Sequence, residues 1–341
     1  MKKERLFYLD FVRAIATVSI VITHFNARFL LLNLPTPEKA VITTTVSNIY
    51  IGNWGVSLFF IISGAALMYV YEEKCDLKTF YKKRFFSIYP MFWIAYFFAF
   101  CYLFYVNKAI PGGGAPKKNF ILSIIGFDGL MAENVQTFYI LGEWFLGAII
   151  LMYVFFPILR KGLIKKPILT WIIVLVIYIW FLYGYNYNFN VVKIIFTRFP
   201  EIMFGMSFTY RKAKVNWKVA VVAFVLLVIN GIVKPGVHES LQTTYVGVLS
   251  FLVLVYISYF VRHKLWHEIC NIISKYSYAI FLVHHQIIAK MMATFDLQNI
   301  THIQSYVLFF TICIVIVFFA VLLYRVHSCT MKFLKHCFQN D

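Results

Sequence analysis

An arginine and a histidine lie eleven residues apart in the first apolar segment, LDFVRAIATVSIVITHF, at Arg13 and His24. At about 100° per residue this spacing is three helical turns plus roughly 20°, so both side chains share one helix face about 16 Å apart. Arginine binds anions such as phosphate, and histidine exchanges protons near neutral pH. Asp10 falls within roughly 60° of this face and is expected to pair with Arg13. Taken singly, Arg13 could snorkel to lipid headgroups and His24 could bond to a neighbouring helix. Their shared face favours a functional track.

Further ionisable groups occur in the fourth and ninth apolar segments. Glu143 opens the fourth at a depth comparable with His24, and the ninth carries His284 and His285 in its outer half. Adjacent helical residues point about 100° apart, so we expect at most one of these two histidines to face the same cavity wall, and we expect it to be His284. Buried ionisable groups in apolar spans are costly, which makes each a candidate for function.

Other polar and aromatic positions have simpler interpretations. Arg198 and Glu201 are three residues apart near the middle of the sixth span, where pairing would explain both. Ser63 stands beside Gly64, a pattern typical of close helix packing. Belt aromatics at the membrane surface would account for Trp144 and Tyr153. Structural or substrate-binding roles are expected for Asp10, Ser63, Trp144, Tyr153, Arg198 and Glu201.

The composition indicates that these polar residues lie in a membrane protein. The 341 residues are 61% hydrophobic and 13% charged, with a mean hydropathy of +0.76, which excludes an ordinary soluble domain. Apolar runs of about 18 to 24 residues recur, each long enough to cross a bilayer. The sequence predicts an all-α polytopic helix bundle, a single domain over residues 1–341, with about ten transmembrane helices. The predicted spans are 7–26, 48–71, 86–106, 139–159, 168–185, 191–210, 219–234, 242–261, 270–290 and 304–324.

The basic excess follows the predicted topology. Of the 32 Lys and Arg residues, 22 fall in segments on the side of the N-terminus and seven on the opposite side. This bias predicts that both termini are cytoplasmic. The net charge of +18 is therefore a topology signal with some attraction to anionic lipid, and nucleic acid is not expected as a partner.

Two further patterns concern ligands. Lys82, Lys83 and Arg84 precede the third span, where positive-inside charge explains them, although such donors would also suit a cytosolic polyanion. The six cysteines are scattered with no pair at metal-ligand spacing, and the ionisable residues do not form a recognisable ligand set. No metal is expected.

Six segments in order resemble the integral-membrane acyltransferase family 3, in its standalone O-acetyltransferase branch of the surface or capsular polysaccharide type. They are LDFVRAIATVSIVITHF, FFIISG, KKRFFSIYP, WFLGAIILMYVFFP, RFPEIMFG and SYAIFLVHH. The resemblance implies that Arg13 and His24 are the family's paired arginine and histidine, and that Arg84 is the first arginine of its basic motif. Ser87 stands where many members have a second arginine, so Lys82 and Lys83 are candidate substitutes.

The resemblance implies transfer of an acetyl group from cytoplasmic acetyl-CoA to a hydroxyl of an extracytoplasmic or lipid-linked cell-surface polysaccharide, in the bacterial cytoplasmic membrane. We expect catalytic roles for His24, Arg13, Glu143 and His284, with His24 as general base and His284 competing for that role. Donor binding is expected from Arg13, Lys82, Lys83 and Arg84. A homo-oligomer or glycan-assembly partners are compatible with the sequence. The alternative is a transporter of a glycan-related or small solute, in which the same polar residues form a relay, but no paired halves are evident.

Overall fold

The structure, a computed structural model, describes residues 4–32, 36–186 and 188–337. Lys2 and Lys3, which belong to the basic set near the N-terminus, lie outside the described residues. The described chain is mainly helical. Its longest helices are α1 (Phe7–Leu31), α2 (Ile51–Tyr71), α3 (Leu77–Asn107), α4 (Glu143–Lys165), α5 (Pro167–Tyr183), α6 (Phe199–Tyr210), α7 (Trp217–Val233), α8 (Glu239–Ser258), α9 (Lys264–Met292) and α10 (His302–Cys337).

Each predicted span overlaps one of these helices. Among the described residues, six helices are long and apolar enough to cross a membrane, namely α1, α2, α3, α4, α8 and α10 over its first 33 residues. The apolar helices α5 and α7 are shorter, at 17 residues each. The all-α membrane bundle is confirmed in this form, while the number of ten crossings and the cytoplasmic termini stay predictions.

Local sequence explains where several helices begin and end. Pro167 and Pro200 occupy the first turns of α5 and α6, where a missing N–H costs nothing. Asn216 caps α7 by accepting a hydrogen bond from the backbone N–H of Val219 at 3.0 Å. Short helices at Thr36–Lys39, Phe120–Ile124 and Asp128–Met131 lie in the connections.

A two-residue hairpin precedes α2. Strands β1 (Thr45–Val46) and β2 (Ile49–Tyr50) pair antiparallel, with Thr45 opposite Tyr50. Ser47 and Asn48 form the turn with φ of 46° and 64°, as a mirror-image hairpin turn requires.

The helices divide into two compact units. Unit 1 comprises Met1–His24, Ile42–Leu77 and Leu151–Lys275, and unit 2 comprises Phe25–Val41, Lys78–Ile150 and Tyr276–Asp341. The single-domain prediction is not tested by this division.

Close glycine contacts build the core of unit 1. A Cβ on Gly64 of α2 would clash with the carbonyl oxygen of Ile202, and one on Gly205 of α6 would clash with the carbonyl oxygen of Ile61. Small residues let two helix backbones approach in this way. The apolar part of the surrounding core includes Leu9, Val12, Ala16, Leu58, Ile61, Ile62, Ala65, Phe251 and Val255.

Unit 2 is held by aromatic contacts and by polar ties to connecting segments. The rings of Phe25 and Phe309 meet edge-to-face with centroids 5.3 Å apart. Asn26, fully buried, exchanges two hydrogen bonds of 3.0 Å with the backbone of Val41. The buried Lys39 ammonium donates to the carbonyl oxygens of Leu297, at 2.9 Å, and Gln298. These ties fix the segment that follows α1.

Candidate functional site

Arg13 and His24 lie on one unbroken helix. α1 runs without interruption from Phe7 to Leu31, so their separation is three helical turns, about 16 Å. Both side chains are partly buried. The helical track predicted from their spacing therefore exists in unit 1.

In the described part of the chain, Asp10 and Arg13 form no direct ion pair, although the Asp10 charge acts on the Arg13 guanidinium. The Asp10 carboxylate is held instead by Arg5, whose Nε lies 2.5 Å from Oδ2 and whose Nη2 lies 2.9 Å from Oδ1. Arg5 precedes α1 and can place its planar guanidinium across both oxygens, the bidentate geometry that favours Arg–carboxylate pairs. Hydrogen bonding to Asp10 raises the pKa of Arg5.

Ser274 of α9 joins Asp10 to Arg13. Its hydroxyl donates to Asp10 Oδ1 at 2.5 Å and accepts from Arg13 Nη1 at 3.2 Å. Ser274 is buried, with 5% of its surface exposed. Tyr153 of α4 lies near enough to interact electrostatically with the same guanidinium. Arg13 of α1 is thus reached from two other helices, through residues of unit 1.

In unit 2, Glu143 lies beside His285. The His285 Nδ1 and the Glu143 Oε1 are 3.4 Å apart, and their side chains are 34% and 17% exposed. The phenol of Tyr139 adjoins the same carboxylate. The arrangement can place a carboxylate against one nitrogen of an imidazole that is about one-third exposed.

The backbone at Glu143 is strained. Gly142 has φ of 98° and Glu143 has φ of 45°. Residues other than glycine rarely adopt a positive φ, so the strain falls on Glu143. Gly129 packs against the Glu143 carbonyl group so closely that a Cβ would clash with it. Such strain concentrates at functional sites, where the surrounding structure holds it in place.

His284 takes a different position from the one expected. It is fully buried, and its Nδ1 lies 3.1 Å from the Ile280 oxygen and 2.8 Å from the Phe281 oxygen, both in its own helix. The geometry therefore favours His285 over His284 as the partner of Glu143. Adjacent positions on α9 point to different surroundings, as their separation of about 100° requires.

The basic segment lies at the start of α3, in unit 2. Lys82 and Lys83 are exposed, and Arg84 is partly buried with its guanidinium 6.0 Å from the Phe80 ring centroid. Ser87 donates to the Arg84 carbonyl oxygen at 2.8 Å within the helix. Lys82 and Lys83 remain available to a charged ligand, while the Ser87 hydroxyl is used locally.

Arg198 and Glu201 form the ion pair that their spacing predicts. Arg198 Nη1 lies 3.2 Å from Glu201 Oε1, and both side chains are fully buried. Arg198 also donates from Nε to the Val192 oxygen at 3.1 Å and faces the Phe60 ring. These contacts lie within unit 1 and hold the backbone at the start of α6.

Two remaining candidates are placed by packing. Ser63 is partly buried on α2 beside Gly64, whose close contact with α6 supports a packing role for this pair. The Trp144 ring meets Phe145 edge-to-face at 6.3 Å.

Sequence reasoning missed Arg5, Ser274 and Tyr139. Arg5 is one of the basic residues on the N-terminal side that predict the topology, and its position five residues before Asp10 is a usable signal. Ser274 lies 264 residues from Asp10, so no local spacing could indicate its bridging position.

Comparison with known proteins gives a match to one family. No curated protein and no solved structure matches the chain. The model of the acyltransferase 3 family, described as an acyltransferase domain, matches residues 6–325. That range contains Arg13, His24, Glu143, Ser274 and His285. The chain therefore belongs to the acyltransferase 3 family and is a multi-pass membrane acyltransferase.

Proposed function

We propose that this protein transfers an acetyl group from cytoplasmic acetyl-CoA to a hydroxyl of a cell-surface polysaccharide or its lipid-linked precursor. The observation that carries the proposal is the state of Arg13. In the described part of the chain, its guanidinium makes one hydrogen bond, to a neutral serine hydroxyl, and no ion pair. A charged group left in this state within a membrane helix is suited to an anionic ligand.

The donor is assigned to coenzyme A because its phosphates match the available cations. Lys82 and Lys83 are exposed, and Arg84 adds a planar donor group at the start of α3. The two lysines stand in for a second arginine. Each attracts phosphate as a point charge, whereas an arginine would bind phosphate through two parallel hydrogen bonds. Arg13 binds a further anionic or carbonyl oxygen of the donor in this proposal.

His24 is the proposed general base. It removes the proton from the acceptor hydroxyl as the acceptor oxygen bonds to the acyl carbon. The thioester C–S bond then breaks, and the departing thiolate takes the proton back from the imidazolium. This direct transfer requires no acyl-enzyme intermediate.

Glu143 and His285 supply the competing arrangement. Their separation of 3.4 Å allows the carboxylate to stabilise a protonated imidazole, which would make His285 the base and Glu143 its orienting partner. Otherwise the pair holds hydroxyls of the acceptor. The two roles differ in the effect that replacing His285 has on kcat and on the KM for the acceptor.

The proposed location is the bacterial cytoplasmic membrane, with the acceptor on its outer side and a capsule-type polysaccharide as product. Membership of an acyltransferase family favours this enzyme over the transporter alternative.

Proton NMR of purified surface polysaccharide tests the proposal. Samples come from the wild type, a deletion strain, and the deletion strain complemented with His24→Ala at normal expression. We expect O-acetyl signals to disappear in the deletion strain and to remain absent with His24→Ala, while polymer yield is unchanged. Intact O-acetylation in the deletion strain would exclude this glycan as the acceptor, and reduced yield of unaltered polymer would indicate export.

A further inference from the structure

Arg5 already balances the charge of Asp10. Both carboxylate oxygens accept from its guanidinium, at 2.5 and 2.9 Å. The Asp10 side chain is only 6% exposed whereas Arg5 is 58% exposed, so a surface cation neutralises a buried anion. The Asp10 charge is therefore shared between Arg5, which contacts it directly, and Arg13, on which it acts electrostatically without contact.

The Ser274 hydroxyl lies between Asp10 and Arg13 and makes one hydrogen bond with each of them. A hydroxyl has one proton and two acceptor lone pairs. The proton is given to Asp10 Oδ1 at 2.5 Å, and a lone pair receives Arg13 Nη1 at 3.2 Å. Because the proton is committed to the carboxylate, Arg13 always meets a neutral oxygen. Ser274 therefore fixes the direction of the guanidinium without neutralising it.

We propose that Ser274 is a positioning residue for the acyl donor: it holds Arg13 in place and keeps it from closing onto Asp10, which leaves the positive charge for an anionic group of the donor. This inference rests on the proposed function, in which Arg13 binds that donor. A guanidinium has five N–H donors, so four remain when one is bound to Ser274. Loss of the hydroxyl frees Arg13 to turn toward Asp10, where an ion pair would compete with the ligand.

The test compares Ser274→Ala with Ser274→Thr in the purified full-length protein. Hydrogen bonds to charged groups contribute enough that we expect Ser274→Ala to raise the KM for acetyl-CoA about tenfold, with kcat changed less than about threefold. Ser274→Thr keeps a hydroxyl and should restore KM. Ser274→Ala should also bind coenzyme A more weakly. This binding is measured by the rise in melting temperature that coenzyme A causes.

Ser258→Ala is the matched control. Its hydroxyl is also buried in unit 1, but it bonds to the Val255 oxygen of its own helix at 2.6 Å. This variant should keep wild-type KM. A wild-type KM in Ser274→Ala would overturn the inference, as would equal losses in the Ala and Thr variants.

The outcomes separate this inference from the proposed function. If the wild type shows no saturable binding of coenzyme A, the proposed donor is wrong and the inference fails with it. If the wild type binds coenzyme A and Arg13→Ala abolishes binding while Ser274→Ala does not, only the role of Ser274 is wrong.

Discussion

His285 Nδ1 lies 3.4 Å from Glu143 Oε1, across 142 residues of chain. Its neighbour His284 instead directs Nδ1 at two carbonyl oxygens of its own helix and is fully buried. The two adjacent histidines therefore have different surroundings, and their substitutions can be compared.

Substituting each histidine by asparagine should give opposite results. His285→Asn should lower kcat about a hundredfold if His285 is the general base, with an unchanged melting temperature. His284→Asn should lower the melting temperature because it removes a buried side chain that is bonded within α9. Transfer assays and thermal unfolding on the same purified proteins measure both effects. If His285→Asn changes only KM for the acceptor, the pair binds the acceptor and His24 remains the base.

The buried Arg198–Glu201 pair should be sensitive to loss of one partner. Glu201→Gln removes the carboxylate that pairs with the fully buried Arg198 guanidinium, and breaking a buried ion pair costs about 3–5 kcal/mol. Reduced melting temperature and expression are the expected results. The control is Glu268→Gln, which removes an exposed ion pair of 3.8 Å with Lys264 and should cost less than about 1 kcal/mol. Equal effects of the two changes would contradict the structural role given to Arg198 and Glu201.

The close contact of α2 and α6 should not accept a methyl group. Gly205→Ala places a Cβ against the carbonyl oxygen of Ile61, a backbone atom that cannot move alone. The expected loss is about 1–3 kcal/mol in the free energy of unfolding. Gly114→Ala is the control, since no atom lies within 4 Å of a Cβ there. A fully stable Gly205→Ala protein would show that the two helices are less tightly packed than described.

Asp128, in the connection between α3 and α4, should make stability depend on pH. Burial raises its pKa to about 7 from an ordinary value of 3.8. Between about pH 4 and 7 the folded protein therefore binds more protons at this site than the unfolded chain does, and stability falls as pH rises through that window. A loss of about 1 kcal/mol lowers the melting temperature by roughly 2–4 °C in domains of about 150–250 residues.

The melting temperature of the wild type should fall between pH 5 and pH 8. Asp128→Asn should show a smaller fall, because the part caused by the Asp128 carboxyl is removed. The control, Asp296→Asn, changes an exposed carboxyl whose pKa is lowered by hydrogen bonds from Asn299 and the Gln298 backbone. It should leave the fall in stability above pH 5 intact. An unchanged fall in Asp128→Asn would assign the pH dependence to another group.

The sequence was sufficient for features that depend on helical periodicity and hydropathy. The predicted spans overlap the observed helices because apolar runs in a membrane protein have few other conformations available. Arg13 with His24 and Arg198 with Glu201 were placed correctly relative to each other because each pair lies on one local helical stretch. The family also followed from an ordered series of motifs.

Contacts between segments that are distant in the chain could not be predicted from the sequence. Asp10 was expected to pair with Arg13, but Arg5 offers two parallel hydrogen bonds from outside the helix, and Ser274 reaches the site from α9. The choice between His284 and His285 depends on the rotation of α9 about its axis, which periodicity alone does not determine. The positive φ of Glu143 likewise depends on its packing against Gly129.

The central claim, that Arg13 holds an acetyl-CoA donor whose acetyl group becomes an ester, is tested most directly with membrane vesicles and acetyl-CoA labelled in the acetyl group. Wild-type vesicles should incorporate label into alkali-labile material of the polysaccharide fraction. At subsaturating donor, normally folded Arg13→Lys should incorporate at least about tenfold less, because lysine cannot reproduce bidentate binding. Equal incorporation by vesicles lacking the protein, or by Arg13→Lys and the wild type, would contradict the account.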